Sequence, residues 1–130
     1  MRHVAALCAA LAVSACQSAA QQDGFGGPDT TWRLVTLDGA AFPADATLTF
    51  PDGQRLAGQA PCNSYFGPLT APYPAFAAPV IAATKRACPD LRAETAYFAV
   101  LGAVTGARRD GDTLTLSDTT GPRLVFTTAD

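Results

Sequence analysis

The hydrophobic and polar residues of this chain alternate in short runs separated by turn residues, which is typical of half-buried β-strands. The clearest run is Trp32–Leu37, which ends at Asp38-Gly39, a dipeptide typical of turns. Similar runs predict strands at residues 47–50, 54–58, 62–67, 80–84, 105–110, 113–117 and 123–127. Because short turns separate several of these runs, we expect neighbouring strands to pair antiparallel.

One segment has a helical period instead. We predict that it begins at Pro89 or Asp90, because proline suits the first helical turn and an aspartate there favours the helix dipole. Its apolar residues recur at helical spacing and comprise Leu91, Tyr97, Phe98, Leu101 and Val104. Two glycines weaken the end of this pattern, and we place the helix stop at Gly106.

The order of these elements predicts the fold class. The last two strands bring four apolar residues, Leu114, Leu116, Leu124 and Phe126, to one face that we expect to be buried. Strands, then one amphipathic helix, then more strands favour an α+β fold. We predict a strongly curved antiparallel β-sheet, or a partly open barrel, packed around a single α-helix.

A proline-rich segment interrupts the strand pattern between residues 68 and 79. Its prolines, at positions 68, 72, 74 and 79, surround Tyr73 and Phe76. Proline cannot donate to a β-ladder, so the segment is predicted to be an edge strand or a loop. Such a loop is also a candidate docking surface for an inhibitory contact with an envelope enzyme.

The N-terminus has the pattern of a secretory signal. Arg2 precedes an apolar, alanine-rich run over residues 4–15, which is shorter than the roughly 20 residues that a spanning helix needs. The run ends at Val13-Ser14-Ala15-Cys16, which resembles the bacterial lipobox. The resemblance implies cleavage after residue 15 and acylation of Cys16, and the alternative is an ordinary signal peptide cleaved nearby.

Acylation would attach the protein to a membrane. Gln17 follows Cys16 in place of the aspartate that tends to retain such proteins at the inner membrane, which indicates the outer membrane, facing the periplasm. We therefore divide the chain into a signal peptide at 1–15, a flexible tether at 16–30 that is rich in small and polar residues, and a folded domain at 31–130.

Processing also simplifies the cysteine count. Cys8 leaves with the signal peptide and Cys16 carries the lipid, so Cys62 and Cys88 remain as an even pair in an oxidising compartment. A disulfide is the natural interpretation, and two buried free thiols are the alternative. A zinc site is disfavoured, because the only histidine, His3, also lies in the signal peptide.

The composition excludes several kinds of chemistry. Without Arg2, eight basic side chains face eleven acidic ones, so the mature chain has no basic field for nucleic acid. It lacks a histidine base, a Ser-His-Asp set, a phosphate loop and cofactor or metal motifs. Lys85 is expected at an exposed strand end, and Glu94 is expected to complement the helix dipole. We therefore expect a monomer without enzymatic activity or cofactor.

Asn63 allows two interpretations. Next to Cys62, it could hydrogen-bond to the backbone of its own turn. Alternatively Asn63, Tyr65 and Arg86 form a polar binding rim around an opening in the sheet, which would admit a small apolar or lipid-like ligand.

The ordered set of residues in this chain resembles the META domain family, which includes HslJ-like bacterial lipoproteins. The residues that carry the resemblance are Trp32, Leu34, 48–50, Gly58, Cys62, Asn63, Tyr65, Gly67, Thr84, Cys88, Glu94, Phe98, Leu101, 114–116, Gly121 and 124–126. Pro61 and Ala87 depart from the family pattern, where glycine and methionine are common. The resemblance spans residues 31–128 and implies a small β-rich domain around one helix, with no established catalytic activity and a loose link to envelope stress.

Overall fold

The computed structural model describes residues 24–129. The signal peptide predicted at 1–15, the acylation site Cys16 and tether residues 16–23 lie outside the described residues.

The larger sheet contains six strands, all paired antiparallel. They are β1 (Trp32–Leu37), β2 (Ala40–Ala41), β3 (Thr47–Leu48), β7 (Gly106–Asp110), β8 (Thr113–Asp118) and β9 (Gly121–Thr128). The strand order is β2-β1-β9-β8-β7, and β3 pairs with the first half of β1. The predicted strand at 32–37 and the C-terminal meander are confirmed.

The smaller sheet contains β4 (Arg55–Gln59), β5 (Ser64–Pro68) and β6 (Ala82–Ala83), in the order β4-β5-β6. A single antiparallel bridge between Thr49 and Ala57 joins it to the larger sheet. The hairpin predicted over residues 47–58 therefore forms around this bridge. The result is a mostly antiparallel arrangement with one helix that is not closed into a barrel, which is the more open of the two predicted forms.

Helix α1 (Leu91–Leu101) follows Asp90, as predicted, but it ends earlier than expected. The amides of Ala103 and Val104 both donate to the carbonyl oxygen of Val100, which closes the last turn. The predicted stop at Gly106 is wrong, since that residue begins β7 and pairs with Ser117.

The core lies between the larger sheet and α1. Leu114 faces Phe126 across the β8–β9 ladder, and Leu116 faces Leu124. All four side chains are fully buried, so the predicted buried face is confirmed. Trp32 of β1 and Tyr97 of α1 are equally buried, and the Tyr97 ring meets the ring of Phe126 on β9, with centroids 6.5 Å apart.

The packed region begins before the predicted domain boundary at residue 31. The Phe25 ring is buried and stacks on Phe50 with ring centroids 4.4 Å apart. The backbone carbonyl oxygen of Phe25 accepts a 2.7 Å hydrogen bond from the Trp32 indole nitrogen. The last residues of the predicted tether therefore pack on the domain, because Phe25 is the one large apolar side chain in that stretch.

The proline-rich segment is a loop rather than a strand. Its two legs approach where the Thr70 amide donates to Ala77, and its tip contains a cis peptide bond before Pro74. Phe76 is buried, and Ala75 bridges to Gly106 at the start of β7. The loop is therefore folded back on the domain.

A cluster of charged side chains holds the turn between β8 and β9. Arg123 pairs with Asp118 at 2.6 Å and also with Asp38 on the β1–β2 turn. Hydrogen bonds from Thr120, and then from Arg123, hold the pKa of Asp118 at about 2, below its ordinary value of 3.8. Since the folded-state pKa is depressed, the charged form stabilises the fold above pH 3.8, and this contribution is lost as the pH falls towards about 2.

We predict that Asp118→Asn makes the stability less dependent on pH between about 4 and 2. The wild-type protein must protonate Asp118 in that interval, whereas the amide has no proton to bind. Thermal melts in a pH series measure the difference. Asp45→Asn, at an exposed loop position, is the control, and equal slopes for wild-type and Asp118→Asn proteins would contradict the prediction.

Candidate functional site

The Cys62-Asn63 turn before β5 is bound to helix α1 by one carboxylate. Glu94 Oε1 accepts hydrogen bonds from the backbone amides of Cys62 and Asn63, at 3.0 and 2.8 Å. Glu94 Oε2 accepts a third, at 2.7 Å, from Asn63 Nδ2. Glu94 therefore accepts hydrogen bonds from a part of the chain that is distant in sequence. It also lies in the first turn of the helix, as expected for a carboxylate that complements the helix dipole.

Asn63 connects the same turn to the segment before the helix. Its Oδ1 accepts hydrogen bonds from the Arg86 amide and the Thr84 hydroxyl, at 2.6 and 2.9 Å. Its Nδ2 donates to the Arg86 carbonyl oxygen as well as to Glu94. The side-chain amide of Asn63 thus binds a different segment of the chain and not the backbone of its own turn.

A disulfide joins the same two segments. Cys62 and Cys88 are bonded, with their Cα atoms 5.6 Å apart, which confirms the predicted pair. Asn63 and Glu94 are each only 4% exposed. No buried polar side-chain atom of residues 24–129 lacks a hydrogen-bond partner. Buried polar groups are tolerated only when they are satisfied in this way, so this junction is a completed structural element.

Tyr65, two residues after Asn63, lies on the same buried face of β5, inside the core. Its hydroxyl donates to the Thr47 carbonyl oxygen at 2.6 Å and lies 2.5 Å from the Tyr97 hydroxyl. Burial raises the pKa of both phenols above the ordinary value, so both stay neutral. Gly58 permits this contact, since a Cβ there would lie 2.0 Å from the Thr47 oxygen.

The three residues predicted as a binding rim do not meet at one opening. Asn63 and Tyr65 are both buried, whereas Arg86 is exposed, and Tyr65 does not line the depression that Asn63 and Arg86 share. Asn63 and Arg86 do line one shallow depression of about 320 Å³, together with Lys85 and Leu91. The Asn63 side chain already forms hydrogen bonds with Glu94, Thr84 and Arg86, so its role in the fold is structural.

The groups considered for catalysis do not converge within the described residues. Glu94 is occupied by three donors, Cys62 and Cys88 are bonded to each other, and Lys85 is exposed on a loop. Residues 24–129 contain no group of three or more side chains that could hold a metal ion. In the same part of the chain, no helix has the length and apolar character needed to cross a membrane.

An open apolar groove of about 400 Å³ lies beside the first two turns of α1. Its walls are the end of β1, strand β2 with the loop after it, and the start of the helix: Leu37, Ala40, Ala41, Phe42, Pro43, Pro89, Asp90, Arg92, Ala93 and Ala96. No ion pair or side-chain hydrogen bond joins Asp90 or Arg92 to another described residue. The groove thus combines apolar walls with one charge of each sign at its rim.

Sequence reasoning did not find this groove, because its two walls are about fifty residues apart in the chain. The only available signal was a group of small residues, Ala93 and Ala96 on the helix and Ala40-Ala41 on a strand, where larger side chains would fill the space.

A second apolar surface lies on the outer face of the smaller sheet. Phe66 and Val80 are 61% and 63% exposed. They line a concavity of about 220 Å³ with Pro68, Ala82 and Arg55.

Comparison with known proteins identifies the domain. A family model described as META domain matches residues 27–130. An NMR structure of a protein from Burkholderia xenovorans is 27% identical, covering 85% of this chain and 87% of that chain with a TM-score of 0.61. A second NMR structure, at 18% identity, covers 78% of this chain and 90% of that chain with a TM-score of 0.58, and it supports the fold alone. No curated protein matches the chain.

Proposed function

This chain belongs to the META domain family, and on that premise we propose that it is a non-enzymatic lipoprotein of the cell envelope whose domain binds a partner protein. The anchor is acylated Cys16, and the location is the outer membrane facing the periplasm. The role is structural or connected with stress tolerance, and it needs no cofactor.

The lipoprotein part of the proposal is supported by the sequence at the N-terminus. An apolar run, small residues and a cysteine follow one another at residues 4–16. The bonded state of Cys62 and Cys88 is consistent with an oxidising compartment outside the cytoplasm.

The non-enzymatic part is supported by the way polar groups are used. A catalytic acid or base must be able to exchange a proton with a substrate. Glu94, the one glutamate of the chain, is buried and holds two backbone amides and an asparagine. The Tyr65 and Tyr97 hydroxyls are buried against each other. These groups stabilise the fold and are withdrawn from solvent.

The apolar groove beside α1 is the observation that carries the partner-binding role. Small-molecule sites bury most of their ligand in a deep cleft, whereas this groove is open and four of its ten lining residues are alanines. An apolar side chain from a partner fits such a groove, with the charged groups of Asp90 and Arg92 pairing with the flanks of the partner peptide.

Photo-crosslinking in cells tests this role. A diazirine amino acid with a short aliphatic side chain in place of Ala93, small enough to leave the groove open, is expected to yield one recurring protein adduct, and the same probe at Thr119, on the β8–β9 turn, is expected not to. Ala96→Trp should abolish the adduct by filling the groove. The same adducts from both probe positions, or an adduct that survives Ala96→Trp, would refute groove-mediated binding. Mass measurement of the membrane form tests Cys16 acylation separately.

A small apolar ligand or lipid carried in the same groove is the second candidate, favoured by the apolar lining around Leu37 and Phe42. The space between sheet and helix is less suitable, because the buried rings of Tyr97 and Phe126 meet there. Native mass spectrometry of the purified membrane form distinguishes this candidate by a bound small molecule that Ala96→Trp removes.

A further inference from the structure

The segment between β4 and α1 presents an unusual surface. No charged residue occurs between Arg55 and Lys85, although charged residues make up 15% of the chain. The exposed residues from 66 to 82 are apolar apart from Thr70: Phe66, Pro68, Pro72, Pro74, Ala75, Pro79, Val80 and Ala82. A surface of this kind on a small domain indicates an interaction site. Phe66, Pro68, Val80 and Ala82 line one concavity, and Pro72, Pro74, Ala75 and Pro79 belong to the loop between β5 and β6. We call this concavity and the loop next to it, eight residues together, the proline-rich face.

The chain enters the domain at the tip of this face. Phe25 is fixed in the core by its stack on Phe50 and by the Trp32 hydrogen bond. The preceding residue, Gly24, lies directly against Tyr73, since a Cβ on Gly24 would be 2.3 Å from the Tyr73 ring. The entry point is therefore fixed beside the tip of the proline-rich loop.

The distance from the anchor to this point is short. Gly24 lies eight positions after Cys16, and a fully extended chain spans at most about 3.6 Å per position, or about 29 Å. A domain of this size has a radius of gyration of about 13 Å. An anchored domain therefore stays within about its own diameter of the bilayer, and the side at Gly24 is the side from which the anchor pulls.

We propose that the proline-rich face docks on the bilayer that holds the lipid anchor. The inference rests on the proposed acylation of Cys16. The anchor keeps the face at high local concentration near the membrane, so a modest apolar contact is enough to orient the domain. Phe66 and Val80 enter the headgroup boundary, as aromatic and aliphatic side chains do at membrane interfaces.

The charges around the face fit this occupant. Arg55 lines the Phe66–Val80 concavity, and Lys85 and Arg86 follow the end of the uncharged segment. No acidic side chain lines that concavity. Arg55 forms a salt bridge with Asp52, but both side chains are exposed, so this ion pair contributes little to stability. Basic groups near anionic headgroups are favourable.

Fluorescence quenching in vesicles tests the docking. The acylated full-length mature protein, carrying Val80→Cys labelled with a nitrobenzoxadiazole dye, is reconstituted in phosphatidylethanolamine and phosphatidylglycerol vesicles that contain a lipid with a nitroxide on its acyl chain. The dye at position 80 is expected to lose most of its emission, and a dye at Thr119→Cys almost none. Phe66→Asp, at an exposed position, should restore emission from position 80.

The outcomes separate this inference from the proposed function. Equal quenching at positions 80 and 119, in protein whose acylation is confirmed by mass, overturns the docking alone. A dye at position 80 that is shielded from aqueous iodide but not quenched by the lipid nitroxide means that a protein covers the face, and this also overturns the docking. A mass without acyl chains overturns both proposals.

Discussion

Glu94→Ala is expected to lower the free energy of unfolding by about 4 kcal/mol. The carboxylate accepts the Cys62 amide, the Asn63 amide and Asn63 Nδ2, and it is 4% exposed. Hydrogen bonds to a charged group contribute about 1.5–3 kcal/mol each, and the three are not additive because they share one acceptor group. Alanine leaves these three donors without their acceptor, and the Asn63 side chain is itself only 4% exposed. Urea unfolding measures the change.

Two further substitutions make this prediction specific. Glu94→Gln keeps one acceptor oxygen but turns an amide towards Asn63 Nδ2, so we expect a smaller loss of about 1–3 kcal/mol. Asp90→Asn is the control in the same helix, because Asp90 is exposed and makes no capping hydrogen bond, and its effect should stay within about 0.5 kcal/mol. A Glu94→Ala effect as small as that of Asp90→Asn would show that the junction does not depend on the carboxylate.

The elements of the fold were largely predictable, because they follow from local pattern. The alternation at Trp32–Leu37 and in the C-terminal meander placed those strands, and Leu114 with Phe126 were correctly placed on the buried face. The disulfide was also predictable, because the cysteine count left only two candidates. In each case the evidence lay within a few residues or in a simple count.

The junction at Asn63 was not predictable in its contacts. Its partners Thr84, Arg86 and Glu94 lie 21 to 31 residues away, and no local rule connects an asparagine to a carboxylate at that separation. The polar rim hypothesis therefore treated as exposed a residue that the tertiary structure buries. The helix end was misplaced for a related reason, since the turn at Val100 is closed by backbone hydrogen bonds that the glycine positions did not reveal.

One signal for Glu94 was present in the sequence. The buried residues of α1 are Glu94, Tyr97, Val100 and Leu101, which all lie on one stripe at helical spacing. A carboxylate on the apolar stripe of an amphipathic helix must find donors, since burying an unpaired charge is very unfavourable. Extending the stripe towards the N-terminus of the helix would have identified Glu94 as a buried acceptor.

Removing the disulfide is the second large effect that we expect. The bond between Cys62 and Cys88 closes a loop of 27 residues, counted with both ends. The chain-entropy model gives about 3–4 kcal/mol for a loop of that length. For a domain of about 100 residues this corresponds to a fall in melting temperature of about 12–30 °C. Cys62→Ser with Cys88→Ser, compared with wild type by thermal unfolding, measures it.

Reduction separates this effect from the serine side chains themselves. A thiol reductant should bring the wild-type melting temperature close to that of the double variant and leave the double variant unchanged. A wild-type protein that melts at the same temperature with and without the reductant, while thiol labelling confirms that the bond is broken, would contradict the prediction.

The two large effects are also expected to depend on each other, because both ties hold the Cys62-Asn63 turn. The disulfide connects this turn to Cys88, three residues before the helix begins, and Glu94 connects it to the helix itself. With the disulfide gone, the turn can separate from the helix locally, so the Glu94 hydrogen bonds no longer contribute fully to the free energy of global unfolding.

We therefore expect Glu94→Ala to lower the free energy of unfolding by at least about 1 kcal/mol less in the Cys62→Ser, Cys88→Ser background than in wild type. Urea unfolding of all four proteins measures this coupling, and strictly additive losses would show that the two ties act on separate parts of the fold.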